Sequence, residues 1–513
     1  MALARAFSVA VVGVHGHLVE VEADLANGLP DITLVGLPDT SLHEARDRIR
    51  AAIVNSGQQW PSQRITVGLF PATLPKSGSG FDVAMAAAIL GAAATVPPAA
   101  LRSRVLLGEL ALDGRLRPVR GVLPATIAAL DAGIERVVVP EANGPEAALV
   151  PGAVVEPVKD LDCLVRLLRG EYEPDPPAAA AATDTARSAA AGVGDLADVA
   201  GQPRGRLAIE VAAAGGHHLF MQGPPGSGKT MLAERLPGLL PALDTEAALE
   251  VTAVHSVAGL LPEDCPLVLR PPYRNPHHSA TPAALVGAGS TVLRPGLASQ
   301  AHRGVLFLDE APEFSRPTLD ALRQPLESGV IELARARVSA RFPARFLLVL
   351  AANPCPCARA GAAMARACEC PSLVRRRYLS RLSGPLLDRV DLQVELAAPS
   401  RAELRADARY ADTSAVAAGR VEAARAATAS RLAGTPWRTN AEIPGAALRR
   451  TWALPAKVTR PADLAFESGQ LTARGLDRVL RVAWTLADLA GLPAPGPTQI
   501  GMALDLRLPG RQQ

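Results

Sequence analysis

No stretch of this chain is apolar for long enough to cross a bilayer. The longest uninterrupted run, Ala84 to Val96, is 13 residues and stops at Pro97-Pro98, whereas a span takes about 20. The apolar residues after Arg5 pass into the alternation Val19-Glu20-Val21-Glu22, which reads as a strand rather than as the centre of a signal peptide. A cytoplasmic protein with no membrane association is expected. Charge of one sign is also lacking: 53 basic residues stand against 50 acidic ones, net +3. With no global basic field, any DNA-binding surface has to be a local patch. Cysteines number six, and four of them fall between positions 355 and 370. In a reducing compartment such clustering points to metal rather than to disulfides. Aromatic residues are few, at 3%. What is plentiful is ordinary core material: 49% hydrophobic and 20% charged residues over 513 positions make a globular chain of about two to four domains.

Residues 1–172 alternate β-like and helical runs. Val9 to Val14, Ile32 to Val35, Ile65 to Phe70 and Val137 to Pro140 read as strands, and Ser41 to Ser56 reads as an amphipathic helix with Ser41 as N-cap. Glu173-Pro174-Asp175-Pro176-Pro177 and the Ala/Thr/Ser-rich tract after it mark a linker over 173–192. From Asp195 an α/β pattern restarts and fills 193–399, and a mostly helical section, with the periodic Arg474 to Leu489, fills 400–513.

The central section carries the chemistry. Gly223-Pro224-Pro225-Gly226-Ser227-Gly228-Lys229-Thr230 matches the GxxxxGK[ST] phosphate loop, with an apolar run before it and a helical one after. Glycines let backbone N–H groups turn inward around phosphates, and the following helix aims its positive N-terminus at them. Lys229 adds charge near the β/γ-phosphates, and Thr230 can ligate Mg²⁺. Downstream, Val305-Leu306-Phe307-Leu308-Asp309-Glu310 is a buried strand delivering two carboxylates at its end. Asp309 would hold the metal's hydration shell, and Glu310 would polarise the attacking water. A third apolar strand, Phe346 to Ala352, ends at Asn353, an amide placed to orient that water. ATP and Mg²⁺ are the cofactors implied.

These motifs, with Arg294-Pro295-Gly296-Leu297-Ala298-Ser299-Gln300-Ala301-His302-Arg303-Gly304, Phe342-Pro343-Ala344-Arg345-Phe346 and Ala352-Asn353-Pro354-Cys355-Pro356-Cys357, resemble those of the magnesium-chelatase-like AAA+ ATPases of the YifB/ComM type. The resemblance covers nearly the whole chain. It implies an α/β architecture: an N-terminal S5/Lon-like α+β domain, a central AAA+ P-loop domain and a C-terminal helical lid. By the same resemblance, Arg389 in Leu386-Leu387-Asp388-Arg389-Val390-Asp391 is the arginine finger, reaching a neighbouring subunit's site and worth roughly 10³ or more in rate. Arg474 in Leu471-Thr472-Ala473-Arg474 matches the second sensor, which contacts nucleotide from the lid. A finger acting in trans implies a ring, expected as a hexamer of identical subunits.

Between the Asp309-Glu310 strand and Asn353 lies Gly329 to Phe342, two β-like arms with Arg335 and Arg337 at the centre. In similar ATPases this hairpin projects into the central pore, where two arginines can engage phosphate oxygens without reading sequence. The segment Ala283 to Pro295, with Arg294, looks like the pore-facing insert of the same class. Solvated charges on an edge hairpin are the alternative. His277-His278 also belongs to the family pattern, and packing is the role expected for it.

Cys355-x-Cys357, ten residues, Cys368-x-Cys370 offers four thiolates, enough to close a structural zinc tetrahedron with no open catalytic position. Four buried or redox-active thiols are the other reading. Cys163 and Cys265 stand alone and read as packing residues.

Leu74 to Asp82 and Leu107 to Gly121 look like the Lon protease domain. A Ser–Lys dyad needs a hydroxyl and an amine, yet Gly80 and Leu123 occupy those places, so an inactive scaffold or a DNA or partner platform is expected. The resulting functional expectation is a DNA-translocating, branch-migrating helicase of the ComM kind, acting in DNA uptake and recombination on single-stranded or branched DNA. The alternative is a protein-remodelling or metal-chelatase motor, although the Asp-x-Ser-x-Ser motif of a chelatase partner does not occur.

Overall fold

A computed structural model describes residues 2–36, 39–74, 76, 78–177, 194–262, 266–289, 293–335, 338–357, 370–400 and 412–508. Among the described residues no helix is long and apolar enough to cross a membrane.

The N-terminal sheet has seven strands in the order Asp31–Val35, Arg64–Phe70, His15–Ala26, Ala2–Val12, Arg104–Leu106, Arg136–Pro140, Val154–Val158. Its first two strands in sequence are antiparallel, while the last four in spatial order run parallel to one another. The apolar run at Ala84 explains itself here: all 11 residues of the helix Asp82–Ala92 are buried, packed against the first hairpin and the flanking core. A helix hydrophobic all round belongs in a core.

Two expected elements shift. The run Val9 to Val14 is not one strand, because Gly13 takes φ +68° and turns the chain into His15–Ala26. Apolar content alone does not reveal a turn that only the glycine's left-handed conformation permits. The helix expected from Ser41 starts at Asp39, so Ser41 is inside it rather than capping it. Asp39 and Thr40 suit a first turn as well as Ser41 does, and three candidate caps in a row leave the boundary open.

The central sheet has five parallel strands in the order Tyr273–Arg274, Val305–Leu308, Leu347–Ala352, Leu219–Gln222, Leu392–Glu395. Val305–Leu308 and Leu347–Ala352 are buried throughout, as the continuous apolar runs of parallel strands require. The strand that leads to the phosphate loop lies inside the sheet, between its third and fifth members. Ligands in such sheets sit beyond the carboxyl ends of the strands, and the phosphate loop, Asp309-Glu310 and Asn353 all lie there. Helices Ser414–Arg431, Ala456–Glu467, Ala473–Leu489 and Pro497–Arg507 make the C-terminal unit and share one core with the sheet's lower face.

The N-terminal domain is docked on the central one. Buried Glu146 accepts hydrogen bonds from Leu123 N (2.8 Å) and from Ser256 Oγ (2.5 Å) on the helix Thr245–Ala258. Val12 and Val14, on either side of the Gly13 turn, pack against the central domain's cluster around Leu333, Ala340 and Phe342.

Candidate nucleotide site

The phosphate loop joins the strand Leu219–Gln222 to the helix Lys229–Leu239. Gly226 and Gly228 take φ of +75° and +85°, conformations open to glycine and costly for other residues. A Cβ on Gly223 would lie 2.5 Å from Leu396 O, so the close approach of the last strand requires glycine there too. Pro224 and Pro225 stiffen the intervening turn through their fixed φ.

Lys229 is mostly buried and donates from Nζ to Gly223 O (2.7 Å), Pro224 O (2.9 Å) and Asn353 Oδ1 (3.2 Å). Burial lowers its pKa, opposed by the charges of Asp309 and Glu310. Thr230 Oγ1 donates to Asp309 Oδ2 at 2.8 Å, and Asp309 Oδ1 accepts from Glu310 N at 2.9 Å. Ser227 Oγ is buried and, among the described residues, has no hydrogen-bond partner, although buried hydroxyls are normally satisfied. An orphaned hydroxyl, two left-handed glycines and a buried ammonium within one loop fit an oxyanion-rich ligand, and the Thr230–Asp309 pair fits a hard divalent cation. Bound there, magnesium-ATP would supply the phosphoanhydride bond and a cation to neutralise its charge. The chain's own part would be to hold the phosphates with Lys229 and the loop amides, with Glu310 placed to accept a proton from water.

Glu310 sits in the left-handed region, φ 49° and ψ 43°, where a non-glycine residue is strained and such strain clusters at functional sites. Its carboxylate is half exposed and faces His278, Nδ1 to Oε2 at 3.5 Å. The packing role expected for His277-His278 is thus corrected. His278 is too exposed to fill a core and instead meets the carboxylate of the Asp309-Glu310 motif, while His277 stacks against it with ring centroids 4.0 Å apart and bonds Ser279. Nothing in local spacing brings position 278 to 310; the sheet does.

Arg389 and Arg474 stand apart from this loop and close to each other. Arg389 pairs with Glu327 and donates to Pro385 O, while Arg474 reaches Asp388 Oδ2 at 3.4 Å. Both line one cavity of about 350 Å³ with Arg478 and Arg481, and no residue of the phosphate loop lines it. Behind it a buried network ties this segment to the lid. Asp391 meets Arg478 Nε at 3.1 Å and His217 Nδ1 at 3.3 Å, and His217 Nε2 meets Thr485 Oγ1 at 2.8 Å. Burial raises Asp391's pKa, but His217, His218 and Arg478 more than offset it and hold the carboxyl well below the usual range.

The hairpin forms from Val330–Arg335 and Val338–Pro343 in antiparallel register. Arg335 ends the first strand; its side chain and Arg337 lie outside the described residues. Arg294, on the strand pair Gly287–Ala288 and Arg294–Pro295, is exposed and lines a cavity of about 410 Å³ with Ser79, Glu109 and Arg120 of the N-terminal domain. In that domain Ser79 Oγ donates to the Glu109 carboxylate, not to an amine. Lys76 is buried on the carbonyls of Pro71 and Leu74, Gly80 has no side chain, and Leu123 is fully buried against Val150 and Ala253. A Ser–Lys dyad has no basis in these positions.

Cys355, Cys357 and Cys370 bring their sulfurs within 4.8 Å of one another, and the first two are 3.0 Å apart. Cys368 and Cys265 lie outside the described residues. Three thiols so close, one of them buried, are a donor set suited to a thiophilic ion such as zinc. Cys163 is buried in the N-terminal core, as expected of a packing residue.

Comparison with known proteins identifies the family. The family described as Magnesium chelatase, subunit ChlI, matches residues 195–404; Subunit ChlI of Mg-chelatase matches 21–143, and its C-terminal family matches 411–507. An uncharacterized protein of Mycobacterium tuberculosis (strain H37Rv) is 53% identical over the full length of both chains. The competence protein ComM of Haemophilus influenzae is 41% identical over 96% of this chain and 94% of its own. The chain belongs to the YifB/ComM family of magnesium-chelatase-like AAA+ ATPases. YifB of Escherichia coli, itself uncharacterized, is 40% identical over 95% of this chain and 94% of its own. For this YifB/ComM ATPase the central fold, the sheet order and the phosphate loop therefore describe one machine.

Proposed function

We propose that this ATPase works as a ring of identical subunits that couples ATP hydrolysis to translocation along DNA, and so to branch migration. The observation that carries the ring is the placement of Arg389 and Arg474: they share a cavity free of phosphate-loop residues. Arginines that serve hydrolysis from there do so at the loop of an adjacent subunit, where they would neutralise charge on the transferring phosphoryl group. Asn353, bonded to Lys229, would orient the water that Glu310 activates. Arg335, Arg337 and Arg294 would contact the DNA backbone, which carries no sequence information. The name of the Haemophilus influenzae relative, a competence protein, supports DNA as the cargo. We also assign zinc to the cysteine cluster, with Cys368 as fourth ligand, in a structural role.

Steady-state ATP hydrolysis with and without single-stranded and forked DNA tests this, with Lys229→Ala as the blank. DNA is expected to stimulate turnover several-fold, and the double variant R335A/R337A to lose that stimulation while keeping basal activity. Turnover abolished by Lys229→Ala but indifferent to every DNA would move the assignment to a polypeptide substrate.

A further inference from the structure

The helix Ser372–Leu379 follows the cysteine cluster directly and is unusual in its surface. Arg375, Arg376 and Arg377 are all exposed, and among the described residues none of the three has an ion-pair or side-chain hydrogen-bond partner. Tyr378 is buried and anchors the helix. Arg377 lines the same open cleft as Arg316 and as Arg381, which bonds Glu313 at 2.9 Å. Together Arg316, Arg377 and Arg381, with Ser315 and Ser380, line an open cavity of about 730 Å³. Three arginines thus share a cleft where the carboxylates in ion pairs with them are Glu313 and Asp320, and Arg375 and Arg376 extend the charge along the exposed helix. In a chain with net charge +3, this is the local basic patch that the composition requires of any nucleic-acid binder. Hydroxyls and guanidinium groups around one open cleft match phosphate oxygens.

The patch is also wired to the nucleotide site. Cys355 and Pro356 follow Asn353 by two and three positions, and Pro356 lines the same cleft as Tyr378. Glu313 lies on the short turn Ala311–Glu313 that begins right after Glu310. Burial, with the charges of Glu313 and Glu310, pushes the Tyr378 phenol up to about 12, a sign of how near these groups are.

We infer that the arginine helix Ser372–Leu379, braced by the cysteine cluster, is a second phosphate-contacting element that holds the backbone of single-stranded DNA. It rests on the DNA reading above and adds to the hairpin a contact built on the loop between Asn353 and the finger. Because a guanidinium on phosphate releases counterions, each contact adds about 0.7 to the salt slope of single-strand binding.

The test is fluorescence anisotropy of a labelled single-stranded oligodeoxynucleotide across 50–200 mM salt, on the full chain. The triple variant R375A/R376A/R377A is expected to lower the slope of log affinity against log salt by about 2. The wild type's advantage then shrinks about 15-fold across that salt range. The triple lysine variant R375K/R376K/R377K keeps the charge and is expected to keep most of the slope. Basal ATP hydrolysis without DNA reports that both variants are folded. A wild type that binds, with an alanine variant of unchanged slope, overturns this inference and leaves the DNA reading standing. A wild type that binds no oligonucleotide overturns both. If the alanine variant instead sediments as a smaller assembly, the patch is a contact between subunits and the inference is wrong.

Discussion

Replacing Asp391 by alanine probes how the segment that carries Arg389 is held. Its carboxylate is almost fully buried, and it is shared by Arg478 at 3.1 Å and by wholly buried His217 at 3.3 Å. Arg507 closes the surroundings, donating to the carbonyls of Val390 and Asp391. Alanine would leave the Arg478 guanidinium buried without its strongest partner and His217 with one bond out of two. Breaking a buried pair from one side costs about 3–5 kcal/mol, because the remaining charge is uncompensated. The ATPase core and lid together exceed about 250 residues, so 1 kcal/mol moves Tm by about 2 °C, and calorimetry should show the ATPase-and-lid transition falling by about 6–10 °C. Asp391→Asn keeps the shape and loses the charge, and should fall part of the way. The sign with pH also follows. A carboxyl depressed in the fold contributes fully above its unfolded pKa of about 3.9, so the difference between wild type and variant should be flat from pH 5 to 8. A drop under about 2 °C, or a difference that vanishes within that pH range, would refute the argument that Asp391 is the counter-ion that fixes this segment.

Two further outcomes are expected. His278 and Glu310 form a half-exposed pair at 3.5 Å, worth at most about 1 kcal/mol, which is about fivefold in rate. His278→Ala should therefore lower kcat two- to fivefold with Tm unchanged, and equal kcat in both proteins would remove His278 from the site. His218 is half-buried and accepts from Leu348 N at 3.1 Å, and its desolvation pulls its pKa down to about 4. Its neutral form stabilises the fold fully above the unfolded value of about 6.5, and that contribution, about 3 kcal/mol, is lost as pH falls towards 4. Thermal scans of His218→Asn should lose the acid sensitivity between those values, and an identical pH profile would contradict this.

The phosphate loop was legible because its ligands are contiguous: glycine conformation, lysine charge and helix dipole are all encoded within Gly223 to Thr230. Asp309, Glu310 and Asn353 were legible at one remove, since an apolar run that ends in a polar residue marks the carboxyl edge of a buried strand. The contacts that cross the fold were not. Glu310 meets His278, and Arg474 meets Asp388, through sheet order and lid packing that no local period records. The same limit hid the basic helix. Arg375, Arg376 and Arg377 read in sequence as three more arginines in a chain rich in them, and only the exposure of all three, with the cleft that Arg377 shares with Arg316 and Arg381, makes them a surface. The run Val9 to Val14 breaks for a local reason: Gly13, lacking a Cβ, takes the left-handed conformation that the turn needs.

That turn has a mechanical consequence. A Cβ at Gly13 would lie 2.6 Å from Arg341 O, on the second arm of the arginine hairpin. The first β-ribbon of the N-terminal domain therefore rides on the lever that is proposed to move DNA. If that lever swings during a stroke, its load includes a whole domain, and either the ribbon follows it or the Val12 and Val14 contact slips. Anything that clamps the N-terminal domain in place becomes a brake on the hairpin, applied without touching ATP.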